Sequence, residues 1–178
     1  MAAHATKIRR RHNGCDLWGA GIVIRRFLLD RIFDSNHPLL LVGRTGNVLT
    51  SGDDVEMCKR ILLLGYTLEY DRSLLLYHFI NQNRLTWAYK KKLFAGFDLT
   101  EEVFRKYDIV YNEVNKSMMR KMKSILYFVL KIILRPGNSK KHLTSELSVR
   151  LGLLFKSAKF PNDLEYKSML KFLFDDKT

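Results

Sequence analysis

The sequence predicts an α/β domain followed by a helical extension, and three observations carry that prediction. Ile22-Val23-Ile24 places three β-branched residues in a row, the signature of a short buried strand. Tyr66, Leu68 and Tyr70 alternate with Thr67 and Glu69, the period-2 pattern of a half-exposed strand. From Met118 the period changes. Met118, Met122, Ile125, Leu126, Val129, Ile132 and Ile133 fall on one stripe of a helix expected over 118–135.

The elements follow in order. Residues 1–15 are polar and basic and read as coil. After the strand at 22–24, residues 27–33 suit one or two helical turns. Pro38 and a Leu-rich run then lead into the turn-rich Gly43-Arg44-Thr45-Gly46-Asn47. Ser51 has the character of a helix N-cap, with Asp54 three residues on as its reciprocal partner. Val55, Cys58, Ile61 and Leu62 share one face of that helix, and Gly65 suits its C′ position. Residues 73–80 form an apolar run that ends in Asn81-Gln82-Asn83. A helix follows from Trp87, and residues 101–117 are again helical and mixed in charge. Pro136-Gly137 stops the amphipathic helix, and the basic tail at 137–178 holds one or two short helices.

Composition narrows the function classes. Hydrophobic residues make up 47% of the 178, enough for a core, and charged residues 28%, ordinary for a folded chain. The charge balance is skewed, with 31 Lys+Arg against 18 Asp+Glu. Residues 1–60 carry 10 basic and 6 acidic side chains, residues 61–120 carry 9 and 7, and residues 121–178 carry 12 and 5. Such a field favours an anionic partner: phospholipid, nucleotide or nucleic acid. Cys15 and Cys58 have no metal-ligand spacing and read as reduced thiols. Arg9-Arg10-Arg11 is followed by no apolar stretch of signal-peptide type, and no run reaches the ~18–20 apolar residues of a membrane span.

Chemistry concentrates in Gly52-Asp53-Asp54. Acids at a helix start can serve the free N–H groups and the helix dipole alone. They can also supply a general base on a rigid support, able to take a proton from a sugar hydroxyl. His78 reads either as a rim histidine or as a ligand for Mn²⁺ or Mg²⁺ or a diphosphate contact. Arg84 suits a phosphate or acceptor contact, or a plain surface position. The Lys90-Lys91-Lys92 run suits a membrane surface or a solvated face.

Taken in order, several segments look like family 2 glycosyltransferases of the GT-A fold, the bacterial enzymes that build surface polysaccharides. They are Trp18-Gly19-Ala20-Gly21, Ile24-Arg25-Arg26, Gly43-Arg44, Ser51-Gly52-Asp53-Asp54-Val55-Glu56, Gly65-Tyr66, Tyr77-His78 and Arg84-Leu85-Thr86-Trp87. The resemblance covers residues 16–97 and implies a partial GT-A (Rossmann-like) fold with a helical C-terminal extension at 98–136. By that resemblance Asp54 is the catalytic base and Asp53 contacts the acceptor or orients the base. Trp18 and Gly19 line the acceptor side with Arg84, and His78 meets metal or diphosphate. In the family a nucleotide-binding half with an Asp-x-Asp motif precedes the Trp-Gly-Ala-Gly segment. No such motif stands upstream here, so the chain is expected to be the acceptor-side part, with a divalent metal held mostly by the missing half.

The implied activity is inverting transfer from a nucleotide-sugar donor to a saccharide or lipid-linked acceptor. The helix at 118–135 carries lysines and arginine around its stripe and no acid, which suits an anionic membrane surface. The stripe could equally pack on the missing half; the membrane is the favoured reading. The expected location is cytoplasmic, peripheral at the inner face of the membrane. The alternative is a non-catalytic peripheral membrane protein or a basic nucleic-acid-binding module. No nucleic-acid partner is expected, because no zinc knuckle, RNP-like aromatic motif or helix-turn-helix pattern stands in the chain.

Overall fold

A computed structural model describes residues 17, 19–41, 43, 52–71, 73–77, 79–134 and 139–175. Every regular element among them is helical. α1 is Arg26–Ile32, α2 Asp53–Leu63, α3 Trp87–Val114, α4 Met118–Leu134, α5 Ser139–Leu154 and α6 Leu164–Phe174, with a 3₁₀ turn at Gln82–Arg84.

The expected α/β, GT-A (Rossmann-like) architecture is therefore corrected: the described residues hold no strand and no sheet. Ile22, Val23 and Ile24 form irregular backbone, and Val23 is 85% exposed. Tyr66, Leu68 and Tyr70 do not pair into a ladder; only an isolated bridge forms at Tyr70. The physical reason is that β-propensity measures fit to a pleated, half-buried surface. Without a neighbouring strand the extended segments stay coil, however strand-like their residues.

The chain divides into two compact units, Met1–Arg105 and Lys106–Thr178, with the division inside α3. In the first unit α1 packs on α2 and buries Leu28 and Ile32. Gly52 stands at the head of α2 with φ +118, a conformation that side chains rarely tolerate. It also lies against Phe104, since a Cβ on Gly52 would come 2.6 Å from that ring. α2 ends as its sequence predicts. Gly65 has φ +86 and donates to Leu62 O at 3.1 Å, and Tyr66 donates to Ile61 O at 3.2 Å, the paired bonds of a Schellman motif.

α2 buries more than its apolar face. Glu56, Lys59 and Arg60 are buried beside Cys58, Ile61 and Leu63. Glu56 and Arg60 lie one turn apart and pair at 3.1 Å, with almost no exposed surface. Glu56 accepts from the backbone N–H of Leu40 at 2.9 Å and Leu41 at 2.7 Å. Arg60 donates to the carbonyls of Ile32, His37 and Pro38 at 3.2, 2.6 and 2.6 Å. One ion pair thus satisfies five backbone groups between the end of α1 and Leu41. A buried charge pair persists where the remaining lone pairs and protons are also bonded.

The expected helix from Trp87 and the helical stretch at 101–117 join into one 28-residue helix, α3, that runs through Gly96. In the second unit α4 packs along α5, and α5 meets α6. Arg150 of α5 sits 3.7 Å above the Phe128 ring, donates to Ser124 Oγ at 3.0 Å and pairs with Glu113 at 3.1 Å. Asp163 caps α6 by accepting from the N–H groups of Glu165 and Tyr166, and it also takes Lys106 Nζ at 2.7 Å. Burial opposes charge on both partners of that pair. The hydrogen bonds outweigh it, holding Lys106 above and Asp163 below their ordinary pKa values.

Candidate functional site

Asp53 and Asp54 occupy the first turn of α2, where backbone N–H groups lack intrahelical acceptors. Two separate segments come to this helix end. Gly19 N–H donates to Asp54 Oδ2 at 2.9 Å across 35 residues of sequence. Gly43 lies against Asp53, so that a Cβ there would stand 2.7 Å from Asp53 Oδ2. A side chain at position 43 would therefore have to displace the Asp53 carboxylate.

The segment bearing Gly19 is held at a second point. Leu17 N–H approaches Cys58 Sγ at 3.4 Å. Leu17 to Gly19 is two residues and Cys58 to Asp54 is one turn of α2. The contacts at Leu17 and Gly19 therefore fall about one turn apart on α2, in the opposite order to the chain. Cys58 is buried, and its contact with the Leu17 backbone sets this register.

The Asp54 carboxylate is oriented from both oxygens. Oδ2 takes Gly19 N–H, and Oδ1 takes the N–H of Val55 at 2.9 Å. A carboxylate offers about four lone-pair positions, so two acceptor directions remain for a hydroxyl. Gly19 is exposed and Asp53 and Asp54 are half-buried, so the acid pair opens to solvent. The Glu56–Arg60 pair supports it from within by fixing the chain from Ile32 to Leu41, ahead of Gly43.

Of the residues singled out from sequence, the structure brings Gly19 to Asp54 and keeps Asp53 beside it. Trp18 and His78 lie outside the described residues, as does Ser51. Arg84 ends the 3₁₀ turn, where it donates to Tyr89 Oη at 3.0 Å and lies over that ring. None of its recorded contacts is with the acid pair. Among the described residues no three His, Cys, Asp or Glu side chains converge as a ligand set.

Sequence reasoning missed the Glu56–Arg60 pair, although its i, i+4 spacing is the signal of a helical ion pair. It also missed the role of Cys58, whose apolar placement gave no hint of a backbone partner.

No helix among the described residues is long and apolar enough to cross a membrane. Comparison with models of protein families, with curated proteins and with solved structures finds no match to this chain.

Proposed function

We propose that the head of α2 is the acceptor-side corner of an inverting, nucleotide-sugar-dependent glycosyl transfer, with Asp54 as general base. The observation that supports this is the Gly19 N–H···Asp54 bond. Two segments that resemble the acceptor-side elements of family 2 glycosyltransferases, far apart in sequence, meet at one solvent-open carboxylate.

The chemistry asks little of this corner beyond position. The acceptor hydroxyl donates to a free lone pair of Asp54 and passes its proton there as its oxygen attacks the anomeric carbon. The new C–O bond forms while the bond from that carbon to the diphosphate oxygen breaks, and the nucleoside diphosphate leaves with the electron pair. Asp53 beside it is placed to accept from a second acceptor hydroxyl. Gly19 and Val55 hold the base in one orientation, which keeps the proton transfer within hydrogen-bond reach.

The test is transfer from a panel of UDP-, GDP- and dTDP-sugars to free saccharides and lipid-linked saccharides, followed by release of nucleoside diphosphate. Asp54→Asn is expected to lower transfer about 10²–10⁴-fold, the usual contribution of a general base, with nucleotide-sugar binding retained. Transfer that survives the substitution removes Asp54 as base. No transfer from any donor by the unaltered chain counts against the whole reading.

A further inference from the structure

α4 buries none of its residues fully, although it packs along α5. The face it uses is marked by Ser124 and Phe128, which meet Arg150. About half a turn away on the helix, at 100° per residue, lies a second apolar stripe. Met119, Met122, Leu126, Leu130 and Ile133 follow one another at steps of three and four and are all exposed. The stripe expected from sequence is thereby divided. Ile125, Val129 and Ile132 are half-buried, while Met118, Met122, Leu126 and Ile133 face solvent.

The charges on α4 are of one sign. Arg120, Lys121, Lys123 and Lys131 are its only ionisable groups apart from Tyr127, and no acid occurs from Asn115 to Leu134. Lys123 is exposed at the edge of the stripe, and Arg120 is exposed further round the helix. Lys131 holds its ammonium over the Tyr127 and Phe128 rings, 5.3 and 5.9 Å from their centroids. Seventeen residues span about 26 Å, short of a hydrocarbon core of roughly 30 Å.

We infer that α4 lies in the plane of an anionic phospholipid surface, with the Met119–Met122–Leu126–Leu130–Ile133 stripe between the acyl chains and Arg120 and Lys123 among the phosphates. Charge complementarity selects this occupant. A nucleic acid would satisfy the cations but leave the stripe in water, and a second copy would bring a face of the same positive charge. Only an anionic bilayer offers apolar and negative groups at adjacent depths. The inference is independent of glycosyl transfer and concerns a different helix.

The experiment is co-sedimentation of the full chain with vesicles of phosphatidylcholine, alone or mixed with phosphatidylglycerol. Binding is expected only to the mixed vesicles and to weaken as salt rises. Lys123→Gln should weaken it about fivefold, and Leu126→Glu/Ile133→Glu about tenfold or more. Far-ultraviolet circular dichroism checks that each variant keeps its helices, and Asp54→Asn should bind vesicles as the unaltered chain does. Equal binding to neutral vesicles, or binding undiminished by the double substitution, overturns the inference. A concentration-dependent dimer that the double substitution abolishes, with vesicle binding unchanged, also overturns it and assigns the stripe to a second copy.

Discussion

α2 and α4 invert each other. α2 has eleven residues and turns charged side chains inward, where Glu56 and Arg60 bind one another and five backbone groups between the end of α1 and Leu41. α4 has seventeen and turns apolar side chains outward, with none fully buried. A helix whose polar groups are saturated inside organises the chain around it. A helix whose apolar groups are left outside keeps an apolar face in water. The candidate base stands on the first kind of helix, which suits a group that must not move.

Three substitutions can break or sharpen this contrast. The largest effect is expected at Arg60→Met, which removes the Arg60 cation from buried Glu56 and strips the donor from three carbonyls. Loss of one partner from a buried pair typically costs about 3–5 kcal/mol, read here as the fall in unfolding free energy in urea. A loss below about 1 kcal/mol, the scale of an exposed pair, would demote the pair from organiser to bystander.

Gly52→Ala should come next. Its left-handed backbone alone costs about 1–2 kcal/mol with a Cβ present, and the Phe104 ring must also move. Thermal unfolding measures the cost. A neutral result would mean that the start of α2 relaxes freely, and Asp53 and Asp54 would then lack a rigid base.

The smallest effect is expected on α4. Leu126→Glu/Ile133→Glu should change stability by no more than about 0.5 kcal/mol, as for surface positions in general. A loss as large as that at Arg60 would show that the outward stripe is packed, and the contrast would fail.

Much of the candidate site was legible before the fold was known, and the reasons differ by residue. Asp53 and Asp54 stand out because acids behind a glycine mark a helix start, and the structure begins α2 at Asp53. Gly19 stands out only through resemblance, since nothing local to a glycine declares a partner 35 residues away. Arg84 was grouped with the acids, yet its recorded contacts are with Tyr89. The strands were misread because Ile22, Val23 and Ile24 carry the right local preference but find no neighbour among the described residues.

What the sequence determined by itself is what depends on neighbours within one or two turns. The span of α4 matches its amphipathic run, and Gly65 and Tyr66 close α2 through bonds to Leu62 and Ile61. Helical hydrogen bonds and caps reach only three to five residues, so a local reading suffices for them. Tertiary structure alone decided that the strand-like segments among the described residues form no ladder, which side of the α4 stripe is covered, and that Gly19 reaches Asp54. Each of these requires two distant stretches to meet, and a sheet ladder, a packed face or a cross-chain hydrogen bond has no energy until they do.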